Sequence, residues 1–371
     1  MLHQKANNMK KNFPFKQAMN AALFVLLLSV AGTKNALAQN QVATLQHNDT
    51  ITGVFYGQNA FVSAHSAAVN GDIITLSSGT FAAPSEINKA ITIHGAGCGF
   101  DSITQIMPTI ISGNFSLRSG SSSTSFEGIS LIGNIAGVSA DNIVFVKCTI
   151  NKILPTSGYY TSFNNCNWQF INCIIKDFVS YSSASGLSGT SNYYILGMSI
   201  INSVVRFTSF NNLDAYNPTT INNSIVLFNN GSTSNSNGRA INNIVVYNSI
   251  ITTVSGHTVS NCTFFNSIGI KTGETSLFDG QTCSNVMEVD GYDDVFETFD
   301  GTITFDNSYQ LKNDIATNFW GHDGTEVGIY GGVMPYRTRP NYMIIKNCNV
   351  AGQTDENKKL NVEMELLGPE D

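Results

Sequence analysis

Two stretches, Phe170-Ile171-Asn172-Cys173-Ile174-Ile175 and Ile200-Ile201-Asn202-Ser203-Val204-Val205, carry the pattern on which the fold turns. Each sets an apolar pair before a two-residue polar step and an aliphatic pair after it. The same unit stands upstream at Phe145-Val146-Lys147-Cys148-Thr149-Ile150, and downstream at 221–226, 246–251 and 264–268. Measured from the Cys or Ser of the step, the spacings are 25, 30, 21, 25 and 18 residues, and five of the six units place Asn immediately before it. No unit shows the i, i+3, i+4 spacing of a helix, and β-branched residues dominate. A fixed corner at variable spacing describes a solenoid whose coils differ in loop length. A leucine-rich repeat would need Leu and a tighter period, and a β-sandwich would not repeat one corner. The fold class read from the sequence is therefore all-β, a right-handed parallel β-helix. Its coils would stack about 4.8 Å apart, with apolar side chains inside and an Asn ladder of amide hydrogen bonds at the turn.

Composition agrees. Of the 371 residues, 42% are hydrophobic and only 12% charged, with a formal net charge of −7. An apolar fraction that ordinary excludes disorder, and the scarcity of Lys and Arg excludes a nucleic-acid binder. Between residues 142 and 270 there are 22 Asn but only seven charged side chains. Asn, Ser, Thr and Gly take the place of charge.

The first 38 residues read as a secretory signal peptide: Lys10, Lys11 and Lys16 precede an apolar run from Ala21 to Ala31, and Ala36-Leu37-Ala38 offers a cleavage site. The run is too short for a comfortable membrane span, so the expectation is a chain secreted to the periplasm or cell surface, with no membrane span after cleavage following Ala38. Residues 39–332 are assigned to the β-helix, with an N-terminal cap that includes 60–69 and a terminal coil. Residues 333–371 are assigned to a C-terminal β-hairpin extension, with 352–359 as its turn. The seven Cys are scattered without C-x-x-C spacing and read as buried thiols.

The segment Gly71-Asp72-Ile73-Ile74-Thr75-Leu76-Ser77-Ser78-Gly79-Thr80-Phe81, followed by Ala90-Ile91-Thr92-Ile93-His94-Gly95, resembles the opening coil of pectate-lyase-like proteins. Gly321-His322-Asp323-Gly324-Thr325-Glu326-Val327-Gly328-Ile329-Tyr330-Gly331-Gly332 resembles the closing segment of many secreted bacterial β-helix proteins. The resemblance implies the fold but no single activity, because this superfold hosts lyases, hydrolases and adhesins.

No G-x-S-x-G, H-E-x-x-H or phosphate loop is present. Aligned by their corners, Lys176 and Arg206 share a register, with Asn151 one coil earlier, Lys152 beside it and Asp177 beside Lys176. The resemblance implies that lyases of this class remove a proton alpha to a uronate carboxylate with a Lys or Arg base. Lys176 or Arg206 would then be base or clamp, and Asp177 would orient it; the alternative is a stacked salt bridge on the tube wall. Tyr159, Tyr160, Tyr181, Tyr193 and Tyr194 lie on segments leaving the same coils and, with Lys152, form the candidate glycan contacts. Asp290, Asp293 and Asp294, within an acid-rich run from 288 to 306, are candidate Ca²⁺ ligands. Three functions remain open at this point: a glycan-binding or surface-interaction protein, a polysaccharide lyase or hydrolase, and a structural scaffold or adhesin.

Overall fold

The polar step is a corner made by one residue in the left-handed conformation. Asn172, Asn202, Asn223, Asn248, Asn266 and Asn285 all have φ between 45° and 54°, Lys147 has φ 49°, and Gly128 fills the same place one coil earlier. Asn tolerates this region better than other residues with a Cβ, because its short amide can hydrogen-bond locally. Each corner turns the chain from one parallel ladder into the next. In this computed structural model, which describes residues 41–100, 106–155, 163–186, 189–228, 240–253, 257–271, 276–337, 344–350 and 362–367, the result is a nearly all-β parallel solenoid of about eight turns.

The first ladder stacks Thr92–His94, Ser125–Glu127, Val144–Val146, Gln169–Ile171, Ser199–Ile201, Thr219–Asn222 and Ile244–Tyr247 in parallel register. The second follows each corner and includes Thr149–Pro155, Ile174–Val179, Val204–Ser209, Ile225–Phe228 and Ile250–Thr253. Thr263–Lys271 and Thr282–Val289 each run through both ladders and complete the stack. A second left-handed corner, at Ser123, Asn142, Asn167, Gly197, Asn243, Asn261 and Gly280, returns the chain to the first ladder.

The residue after the first corner points inward and is Cys148, Cys173, Ser203, Ser224, Ser249 or Ser267. From Cys173 to Ser249 its N–H is met by the next coil's hydroxyl: Cys173 N to Ser203 Oγ at 2.9 Å, Ser203 N to Ser224 Oγ at 3.2 Å, Ser224 N to Ser249 Oγ at 3.0 Å, Ser249 N to Ser267 Oγ at 3.4 Å. Each hydroxyl donates in turn to the carbonyl two residues back in its own chain, as Ser224 Oγ does to Asn222 O at 2.7 Å. A ladder thus stands at this corner, but it is built of Ser rather than the expected Asn amides. The amide ladder occurs at the second corner, where Asn217 Nδ2 donates to Asn167 Oδ1 at 2.9 Å and Asn167 Nδ2 to Asn142 Oδ1 at 3.3 Å.

Inside the tube aromatic rings stack from coil to coil: Phe126 on Phe145 at 4.9 Å, and Phe145 on Phe170 at 5.4 Å with only 2° between planes. Phe178, Phe207 and Phe228 make a parallel column. Gly95 permits close coil contact, since a Cβ there would meet Gly128 O at 2.5 Å. At the N-terminal end Val42–His47 pairs antiparallel with Thr50–Tyr56 and with Ile73–Leu76, and the helix Ala60–Ala67 buries Ala60, Phe61 and Ala64 in the same core. Asp72 of the opening motif is buried and holds this end through Val69 N at 2.8 Å and His47 Nδ1 at 2.6 Å.

Residues 290–337 do not wind as a further coil. They lie back along the outside of the second ladder as a strap, and Phe296, Phe299, Tyr309, Leu311, Val327 and Ile329 cover the outward column Ile174, Val204, Ile225, Leu227, Ile250, Ile268 and Ile270. This second core explains the doubled aliphatics after the corner, for Ile175, Val205, Val226 and Ile251 enter the tube and their predecessors meet the strap. The amides of the first corner hold the strap's edge. Asn266 Nδ2 donates to Trp320 O at 3.1 Å, Asn248 Oδ1 accepts from His322 N at 2.7 Å, and Asn202 Nδ2 donates to Ile329 O and Gly331 O at 2.9 and 2.7 Å. Beyond the strap, Ile344–Val350 and Val362–Leu367 pair as an antiparallel hairpin.

Asn202 therefore has two tasks that substitution can separate. Asn202→Gly keeps the left-handed corner but loses the strap bonds, and should lower unfolding free energy by about 1–2 kcal/mol. Asn202→Ala adds backbone strain of about 1 kcal/mol. Urea unfolding of both variants checks the order.

Candidate functional site

The charged groups expected to stack do not act as one cluster. Pairing across Ile174–Val179 and Val204–Ser209 is in register to Ile175↔Val205 and resumes at Phe178↔Phe207, so Lys176 and Asp177 together oppose Arg206 in a bulge. Asp177 turns to Lys152, whose Nζ lies 2.7 Å from Oδ2, and accepts a hydrogen bond from Thr208 Oγ1. Lys176 is not a member of that pair. Arg206 goes the other way, beneath the strap, where Nη2 donates to Gly301 O at 3.0 Å and Nε is buried without a partner. Arg206 thus secures the strap, and the Lys176–Arg206–Asp177 arrangement expected for proton abstraction is not assembled. The bulge is the physical reason: one extra residue sends neighbouring side chains to different surroundings.

The tyrosines divide as well. The segment that carries Tyr181, Tyr193 and Tyr194 out of its coil is a hairpin, Tyr181–Gly186 against Gly189–Leu196, with Tyr181 opposite Tyr194. Tyr193 is 2% exposed and belongs to the core, so it cannot face a ligand; Tyr194 is half-buried. Tyr159 and Tyr160 lie outside the described residues.

Of the acids, Asp294 folds onto its own turn, its Oδ2 accepting from Asp290 N and Gly291 N at 3.2 and 3.1 Å. Asp290 pairs with Lys271 at 3.3 Å. Asp300 accepts from Thr302 N at 2.8 Å, and that hydrogen bond holds its carboxyl below the usual range. Asp290, Asp293, Glu297 and Asp300 rim a cleft of about 720 Å³ beside Tyr292, Phe296 and Phe299, and Asp294 is not part of its lining. Among the described residues no three His, Cys, Asp or Glu side chains converge on one point as metal ligands. The expected Asp290–Asp293–Asp294 calcium ligands are therefore not gathered into one cluster: Asp294 caps its own turn and Asp290 pairs with Lys271.

A different site emerges where the strap's edge meets the first ladder. A groove of about 400 Å³ is walled by Ile201, Asn202, Asn222, Asn223, Tyr247 and Asn248 on the solenoid and by His322, Asp323, Gly332, Val333 and Met334 on the strap. Tyr247 is 38% exposed and stacks on Phe265 at 5.1 Å, which fixes the ring's attitude. Asn222 Oδ1 and Asn223 Nδ2 are buried without partners. Asp323 is fully engaged, accepting from Asn248 Nδ2, Thr325 N and Thr325 Oγ1. Next along the strap, and sharing Val333 and Met334, is a smaller pocket of about 210 Å³ reached by Lys147, Asn172 and Arg337. The sequence does carry a trace of this site: with Val246 inward, strand alternation puts Tyr247 outward beside a corner Asn. The fold-back of the strap, which makes it a groove, has no such trace in local pattern.

Comparison with family models, with curated proteins and with solved structures finds no match. The site's chemistry has to be argued from its own residues.

Burial pushes the Cys98 thiol up to about 12 and the Cys262 thiol up to about 11, while Cys283 is exposed. Thiolate is the reactive form. In the folded protein at pH 8, alkylation followed by peptide mapping should label Cys283 first and leave Cys98, Cys148, Cys173 and Cys262 unmodified until denaturant is added. Calcium at millimolar concentration should leave the melting temperature unchanged.

Proposed function

We propose that the protein is an exported, non-catalytic glycan-binding protein of the pectate-lyase-like β-helix class, and that the groove beside Tyr247 is its ligand site. One observation carries the reading: a buried amide acceptor, Asn222 Oδ1, and a buried amide donor, Asn223 Nδ2, stand without partners next to an exposed, pre-oriented aromatic ring. A sugar hydroxyl both donates and accepts, so neighbouring hydroxyls of one ring answer both amides after a small turn of the half-buried Asn222. The C–H face of the sugar packs on tyrosine, whose hydroxyl stays available for a polar contact. Leaving a buried amide unpaired costs about 1–3 kcal/mol, which a ligand that satisfies it recovers on binding.

Turnover asks for more than this groove offers. Glycoside hydrolysis uses two carboxylates about 5–10 Å apart, and the groove's one carboxylate, Asp323, is committed to three hydrogen bonds. A lyase needs a base open to its substrate, whereas Arg206 is tied to the strap. Retention without product is the behaviour these residues support. Export follows from the N-terminal Lys10–Ala38 pattern, with cleavage after Ala38.

The test is retention on a panel of immobilised neutral and acidic polysaccharides, with unsaturated and reducing-end products assayed in parallel. At least one glycan should retain the protein with no product formed. Tyr247→Ala should weaken that retention about tenfold, and Asn222→Ala by a smaller factor. Product formation would make it an enzyme, and no retention on any glycan would leave a scaffold or adhesin.

A further inference from the structure

The inward column at the first corner changes residue type once. It reads Ser203, Ser224, Ser249 and Ser267 in the later coils but Cys148 and Cys173 in the two before them. The cysteines stand side by side: Thr149 pairs with Ile174 in the adjoining position, and Ile174 N donates to Cys148 O at 2.9 Å. Cys148 is 1% exposed and Cys173 fully buried, both within the core of the tube. As a link between coils serine is the better residue, since its hydroxyl caps the N–H of the coil before it, as Ser203 does for Cys173. A thiol is a weaker donor and a weaker acceptor. What two adjoining thiols offer, and two hydroxyls do not, is a covalent bond.

The geometry allows that bond. Strands in parallel register lie about 4.8 Å apart, and a disulfide joins Cα atoms about 4.4–6.8 Å apart. Cys173 Sγ leans back toward the coil of Cys148, donating to Phe145 O at 3.4 Å, and the two thiols are within hydrogen-bonding reach of each other. Burial, and then the neighbouring thiol, push Cys148 well above the ordinary thiol range. Thiolate is the reactive form, so the folded pair is inert. The bond therefore closes as one coil docks on the other, before the column loses water.

We propose that Cys148 and Cys173 are a modification site, the two ends of a disulfide that ties neighbouring coils when the chain folds in the presence of a disulfide oxidant. One protein thiolate attacks the oxidant's S–S bond and releases a thiolate; the second protein thiolate attacks the resulting mixed disulfide and releases the other. Two electrons pass to the oxidant, which leaves as two thiols, and the protein loses two protons. The alkylation pattern given above belongs to the reduced chain. The pairing does not rest on the function proposed above. That the bridged form is the one present outside the cytoplasm rests on export, and refolding in vitro tests the pair without it.

The full chain is prepared under reducing conditions, unfolded in denaturant, and refolded with either oxidised plus reduced glutathione or reduced glutathione alone. Remaining thiols are alkylated in denaturant, and the peptides are mapped without reduction. With oxidant, the peptides holding Cys148 and Cys173 should be linked to each other and the other five cysteines unlinked. The melting temperature should rise by about 5 °C over the reduced protein, because the bond closes a loop in the unfolded chain. Cys148→Ser and Cys173→Ser place at the corner the residue that later coils use. Both should melt near the reduced parent and gain nothing from the oxidant. Free thiols at both positions after oxidative refolding, a link from either to another cysteine, or an equal gain in the Ser variants would overturn the site.

Discussion

The structure depends on satisfying one backbone N–H per coil at a place where a sheet cannot do it. A left-handed residue bends each coil between its ladders and turns the next N–H away from the neighbouring strand's carbonyl. Buried and unpaired, that group would cost about 1–3 kcal/mol per turn, enough over about eight turns to cancel a typical domain's whole stability. Ser203, Ser224, Ser249 and Ser267 remove the cost by lending a hydroxyl from one coil to the N–H of the coil before it. Each hydroxyl also donates to its own chain, so donor and acceptor are both used within the column. The position must be small, hydrogen-bonding and inward, which is why it reads Ser or Cys while the residue ahead of it reads Asn.

The same corner organises the outside. Once the hydroxyl has taken over the inner bond, the Asn amide is free to reach outward, and the strap is what it reaches. Doubled aliphatic residues give the second ladder an apolar outer face that has to be covered, and the carbonyls and N–H groups along the strap's edge need partners that a smooth sheet face lacks. The amides of Asn202, Asn248 and Asn266 supply them. A groove then follows from geometry, since a strap laid on a flat solenoid leaves a step along its margin. Asn222, Asn223 and Tyr247 line that step because they sit just before, on, and just before a corner.

Fold and site were legible to different depths for the same reason. Solenoid periodicity is local: Asn172-Cys173 and Asn202-Ser203 announce the corner within two residues, and the alternation around Phe170 or Ile200 tells inside from outside. The strap is a long-range event. Ile174-Ile175 and Val204-Val205 contain the fact that both faces of the second ladder are buried, but they do not say which distant segment does the burying. The resemblance of 321–332 to a closing segment pointed to the end of the tube, whereas that segment lies along its side. Alignment by corners did not foresee the bulge after the corner, which leaves Asp177 with Lys152 while Arg206 goes to the strap. Tyr193 failed for a related reason: its segment pairs as a hairpin, and the ring is buried.

Scarcity of charge also bears on function, through where the few charges go. In the repeated coils Lys152 is committed to Asp177 and Arg206 to the strap, so each supports structure. Lys147 differs in its place rather than its pairing, for it stands at a left-handed corner where the six that follow carry Asn. A solenoid makes such exceptions easy to see: every coil solves the same steric problem, so the neighbours act as internal controls for what folding alone requires. Serine against cysteine at 148 and 173 stays within those requirements, since both are small, inward and able to donate to a carbonyl. A buried lysine at a left-handed corner departs from them.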